Sequence, residues 1–135
     1  MILRFLLYLM TLSLVGSGCV LSKSSLDGTE WVLQRAETPT GSVTPAADVP
    51  TLRIEEGRIA GSDGCNQFSG SVQPTDDGRI AVSHLASTKR ACPPPFDALS
   101  KAILGVLDGK TIANEVRGDE LLLSAAGTTL VYTRR

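Results

Sequence analysis

Beyond residue 26, apolar and polar residues alternate along most of this chain. Thr51-Leu52-Arg53-Ile54-Glu55 puts every second side chain on one face, Glu56-Gly57 turns the backbone, and Arg58-Ile59-Ala60-Gly61 returns. That spacing predicts a hairpin. Gln67 to Gln73 and Arg79-Ile80-Ala81-Val82-Ser83 form a second pair around Pro74-Thr75-Asp76-Asp77-Gly78, where Asp-Gly supplies the positive φ of a tight connection. Thr29 to Gln34 reads as an opening strand, and Pro39 to Pro50, rich in small and polar residues, reads as a loop. The period then changes. Phe96, Leu99, Ile103 and Val106 recur at helical spacing, with Pro93-Pro94-Pro95 in front and Gly109 behind, which predicts one helix from about Pro95 to Leu107. Strand patterns resume at Thr111 to Val116, Glu120 to Leu123 and Thr129 to Tyr132. The expected fold is α+β and β-rich: an antiparallel, barrel-like sheet of about seven or eight strands with one helix packed on it.

The first residues follow a different rule. Arg4 precedes an apolar stretch from Phe5 to Val15, which runs into Gly16-Ser17-Gly18 and then Cys19. A positive start, a short apolar middle and a small-residue exit are the features read by export and signal-processing machinery. Residues 1–18 are therefore read as a lipoprotein signal, Cys19 as the lipid-accepting residue, 19–25 as a lipidated polar tether and 26–135 as the folded domain. A spanning helix needs about 20 apolar residues, and this run is interrupted at Gly16. Plain cleavage and an uncleaved anchor are the rival readings, because Gly16 stands where a lipobox usually carries a branched aliphatic residue. The expectation is a lipid-anchored envelope protein, at the outer membrane and facing the periplasm.

Composition narrows the remaining classes. At 42% hydrophobic and 20% charged residues the chain can bury an ordinary core as one domain. Losing Arg4 with the signal takes the formal charge from -1 to -2, which supplies no basic surface for nucleic acid. Of the three cysteines, Cys19 is assigned to lipid, leaving Cys65 and Cys92 as an even pair in an oxidising compartment. A disulfide between them would stabilise the fold by roughly 3–4 kcal/mol; two separate buried thiols are the alternative. Their wide spacing does not match the Cys-x-x-Cys arrangement of thiol–disulfide catalysts.

Three segments together resemble a known family. Leu26-Asp27-Gly28-Thr29-Glu30-Trp31-Val32-Leu33, then Gly61-Ser62-Asp63-Gly64-Cys65-Asn66-Gln67-Phe68-Ser69-Gly70, then Thr88-Lys89-Arg90-Ala91-Cys92 are similar to the META domain, also called DUF306 or HslJ-like. The Gly-Cys-Asn-x-Phe-x-Gly run is the specific part, and the likeness extends from about Leu26 to Tyr132. Arg90 stands where the family commonly has an apolar residue. The resemblance implies a β-rich α+β fold, frequent occurrence as bacterial envelope lipoproteins, and a link to heat-shock and novobiocin-resistance phenotypes. It carries no established catalytic residues.

The motif residues have a structural reading. Gly61 and Gly64 are expected to take positive φ, Asn66 to tolerate the left-handed region and bond nearby backbone, and Gly70 to allow close strand approach. Asn66 as an oxyanion donor or ligand contact is the functional alternative, but no nucleophile–base pair accompanies it in the sequence. Trp31 reads as a core plug. His84 is the one histidine and lacks a Gly-x-Ser-x-Gly elbow; one histidine and two cysteines do not make a zinc site. Neither metal nor cofactor is expected. Asp76-Asp77-Gly78 and Arg117-Gly118-Asp119 are read as turns, and Lys89-Arg90 as a solvated basic edge. The favoured expectation is a monomeric, non-catalytic envelope lipoprotein that binds a protein or a small hydrophobic molecule at the barrel or its rim. A pilot or inhibitor-like module taking a partner strand and a hydrolase using His84 are the alternatives.

Overall fold

The computed structural model describes residues 26–94, 96–108 and 111–135. The signal, Cys19 and the tether, with Pro95 at the expected start of the helix and Gly109 and Lys110 beyond its expected end, lie outside the described residues. Nine strands and one helix follow in the order β1 (Glu30–Thr38), β2 (Gly41–Val43), β3 (Thr51–Glu55), β4 (Arg58–Ser62), β5 (Gln67–Pro74), β6 (Ile80–Ser87), α1 (Phe96–Leu107), β7 (Thr111–Arg117), β8 (Glu120–Ala125) and β9 (Thr128–Arg134). Every ladder is antiparallel, each strand from β3 to β8 pairs with the next, and β1 pairs with both β3 and β9. The sheet thus closes into an eight-stranded barrel, with β2 as one added strand. Closure removes most of the free edge that an open sheet would expose.

Alternation determines what the barrel contains. Leu52 and Ile54, Phe68 and Val72, Leu121 and Leu123, and Leu130 and Tyr132 are all buried, each at every second or fourth position of its strand. In β1 the buried residues are Trp31, Leu33 and Ala36, a shift from odd to even numbers. The register against β9 slips between Leu33 and Arg35; an extra residue in a bulge turns Ala36 back toward the core. This extension also accounts for the difference from the loop expected over Pro39–Pro50. Beyond the bulge Ala36, Glu37 and Thr38 present their other edge to Val43, Ser42 and Gly41, giving β2 a ladder, and the Thr38 hydroxyl donates to the Gly41 carbonyl at 2.8 Å across the turn.

Helix α1 buries Leu99, Ser100, Ile103, Val106 and Leu107 and packs against β1, β8 and β9. Phe96 starts that apolar stripe and is half-buried. The ladder between β6 and β7, on either side of the helical excursion, places Ile80 opposite Ile112 and Ala81 opposite Thr111 among the described residues.

Candidate functional site

The motif residues meet at one corner, where the β4–β5 connection touches the segment leading into α1. Asp63 is fully buried there. Its Oδ1 accepts from the Cys65 N–H at 2.9 Å and the Asn66 N–H at 2.6 Å, and its Oδ2 accepts from the Ser100 hydroxyl of α1 at 2.6 Å. One carboxylate therefore closes the turn and ties it to the helix. Three donors offset the cost of taking that group out of water.

Asn66 performs the second connection. Its Oδ1 accepts from the Thr88 hydroxyl at 2.9 Å and the Arg90 N–H at 2.8 Å, while its Nδ2 donates to the Arg90 carbonyl at 3.3 Å. The carboxamide thus satisfies both main-chain groups of Arg90, as a neighbouring strand would. Thr88 in turn exchanges bonds with Gln67, through its hydroxyl at 3.1 Å and its N–H at 3.0 Å. The Cys65–Cys92 disulfide is formed, so the same two segments are joined covalently, and Ala91 lies exposed between the clamped residue and the bridge. Because the corner uses the backbone of residue 90, the Arg90 side chain stays exposed, and an arginine is accommodated there.

The expectations for the glycines and Asn66 hold in part. Gly64 has φ 93°, and a Cβ there would lie 3.0 Å from the Asp48 carbonyl oxygen. Gly61 and Asn66, expected to use or tolerate the left-handed region, are absent from the positive-φ residues among those described. Gly61 serves close packing instead: an added Cβ would fall 2.0 Å from the Thr51 carbonyl oxygen. Gly70 likewise leaves room for the β6 backbone, with Ser83 O at 3.0 Å from its hypothetical Cβ. Opposite it the β5–β6 register shifts, and His84 takes φ 52°. His84 is exposed at this bulge, and the structure does not bring it together with the Asn66 corner.

Trp31 and Phe68 are buried in the core. The Arg134 guanidinium lies 4.9 Å from the Trp31 ring centroid and donates to the Thr29 hydroxyl at 3.2 Å, while the Gly28 N–H donates to the Ile54 carbonyl at 2.8 Å. The opening motif therefore fastens the start of the domain to β3 and β9. Among the described residues, Trp31 Nε1 and the Tyr132 hydroxyl are buried without a hydrogen-bond partner. Burial, and secondarily the nearby Asp63 carboxylate, pushes the Tyr132 phenol well above its ordinary range.

Two features escaped sequence reasoning. The Asp63–Ser100 contact joins residues far apart in the chain; Ser-Asp-Gly in a turn was its one local signal, and nothing local marks Ser100 as the partner. The second is an apolar cavity of about 260 Å³ at one end of the barrel, lined by Leu26, Asp27, Ile54, Val72, Pro74 and Ile80 along with Gly57. It sits where the chain enters the domain, the β3–β4 turn approaches, and β5 gives way to β6. A smaller hollow of about 200 Å³ borders the disulfide, between Asp48, Gly64 and Phe96.

Comparison with known proteins now decides the family. The family model of the META domain matches residues 24–135. This chain belongs to the META domain family. Two solved structures are similar to it: the NMR structure of a protein from Burkholderia xenovorans, 28% identical, covering 82% of this chain and 83% of that one with a TM-score of 0.65, and a second NMR structure, 28% identical, covering 80% and 90% with a TM-score of 0.63. No curated protein gives a significant match. The corner built from Asp63, Cys65, Asn66 and Thr88 lies within the matched META domain, and its polar groups are engaged with one another.

Proposed function

We propose that this META domain protein is a non-catalytic lipoprotein of the bacterial envelope, anchored through Cys19, which supports tolerance of envelope stress or of novobiocin-type drugs by holding a small hydrophobic molecule. The observation that carries this reading is the apolar cavity between Leu26, Ile54, Val72 and Ile80 at the barrel end. Concave, mainly apolar sites with a few polar groups are the usual places for small ligands. The motif corner supports the non-catalytic part: Asn66 spends its carboxamide on Thr88 and Arg90, leaving it committed to structure.

Pro74 is exposed at the cavity lip, so Pro74→Trp closes the mouth with little disturbance of the core. Native mass spectrometry under non-reducing conditions should find an acylated Cys19 and a small apolar adduct that Pro74→Trp removes, and the variant should fail to restore drug tolerance to a strain lacking the protein. Undiminished tolerance with Pro74→Trp would refute the ligand role, and a His84→Ala variant that abolishes tolerance would restore the hydrolase reading. A partner-strand module is the second reading, favoured by the β6–β7 ladder, which leaves Ser83–Ser87 of β6 without a partner among the described residues of β7. Cross-links from that stretch to one stoichiometric protein would support it.

A further inference from the structure

Resting on the reading of the barrel-end cavity as a ligand site, we infer that its ligand is a cationic amphiphile, an apolar body carrying a positively charged group. The lining is aliphatic at Leu26, Ile54, Val72, Pro74 and Ile80, and Asp27 is the one ionisable residue among those that line it. Asp27 is half-buried, and its backbone is held beside β3 by a bridge to Ile54. A carboxylate at the edge of an apolar hollow attracts a cation more strongly than one in open water and disfavours an anion by the same field. The turns next to Gly57 and Pro74 lean the same way by one charge: Glu55, Glu56, Asp76 and Asp77 stand against Arg53, Arg58 and Arg79. Glu55 is paired with Arg53, and Asp77 with Arg79, which leaves Asp27 as the carboxylate within the lining itself.

Position strengthens the inference. Leu26 forms part of the wall and directly follows the tether, so a lipid on Cys19 keeps the mouth within roughly 24 Å of the anchor even if the intervening backbone is fully extended. An amphiphile partitioned into the bilayer is thereby concentrated where the cavity opens, and an avidity term adds to whatever the site itself provides.

The test uses the full-length protein, labelled at isoleucine methyls, in phosphatidylcholine nanodiscs with empty nanodiscs as the partitioning reference. It is titrated with octyltrimethylammonium, octanoate and 1-octanol. All three are expected to shift the Ile54 and Ile80 methyl signals saturably while the Ile103 methyl in the helix packing stays in place. Octyltrimethylammonium should bind about fivefold more tightly than octanoate, the scale of one partly exposed ion pair. Asp27→Asn should bring that ratio close to one, and Asp27→Lys should reverse it. Equal or tighter binding of octanoate by the native protein, or a preference that survives both substitutions, would overturn the cationic assignment while leaving the cavity a ligand site. No saturable shift with any of the three probes would remove the ligand reading itself.

Discussion

Replacing Tyr132 with phenylalanine isolates a single atom whose energetics the fold makes unusual. The hydroxyl is fully buried and has no hydrogen-bond partner among the described residues. A buried polar group in that condition costs about 1–3 kcal/mol, so Tyr132→Phe should leave stability at pH 7 unchanged or raise it by about 1 kcal/mol, against the usual trend for core substitutions. The pH dependence gives a sharper signature. The folded phenol titrates above its ordinary 10.0, so on raising the pH the unfolded chain releases its proton first. Below about pH 10 both states hold the proton and the group is neutral in the balance; above it the unfolded state gains, and stability falls by about 1.4 kcal/mol per pH unit until the folded phenol also ionises. Urea unfolding followed by the fluorescence of Trp31, the one tryptophan, should therefore show Tyr132→Phe more stable than the parent by a margin that opens near pH 10 and has grown by about 1.4 kcal/mol at pH 11. Other titrating groups cancel in the difference between the two proteins. A variant that loses more than about 1 kcal/mol at pH 7, or a margin flat through pH 11, would refute the account of an unpartnered, desolvated phenol.

Four further outcomes follow from the corner and the ladders. Cys65→Ser and Cys92→Ser should each lower stability by roughly 3–4 kcal/mol and to a similar extent, and thiol titration of denatured native protein should show no free sulfhydryl at either position. Asn66→Ala should cost about 2–4 kcal/mol, since it strands the Arg90 main chain and the Thr88 hydroxyl; hydrogen exchange at the Arg90 amide should accelerate in that variant and remain slow in Thr88→Ser. Ser100→Ala should cost about 1.5–3 kcal/mol for its bond to the Asp63 carboxylate, and a double-mutant cycle with Asp63→Asn should give a coupling of at least about 0.5 kcal/mol. Gly61→Ala should destabilise more than Gly70→Ala, by about 3 kcal/mol or more against about 1–2, because its Cβ would overlap a backbone oxygen at 2.0 Å; equal melting temperatures for the two variants would contradict this.

Local pattern and tertiary contact determined different parts of this protein. The two hairpins, the helix stripe from Leu99 to Val106 and the three closing strands were legible because alternation and turn chemistry act within a few residues, and burial on one face requires that periodicity wherever the strands end up. The META motifs were legible as well, since Gly64 needs its positive φ for a reason internal to the turn. Closure of β1 onto β9, the bulge that returns Ala36 to the core, and the growth of β2 from an expected loop depend on which strand edges come together, which no window of sequence contains. The same holds for the polar corner. Asp63 could have capped its own turn and faced water; it is buried because α1 delivers Ser100 to its second oxygen, and a charge can leave solvent only where the completed fold assembles all its donors. The cavity at Leu26, Ile54 and Ile80 has the same origin: three ordinary core-facing residues became a lining because the barrel end where they meet is not filled by the helix, which packs against β1, β8 and β9.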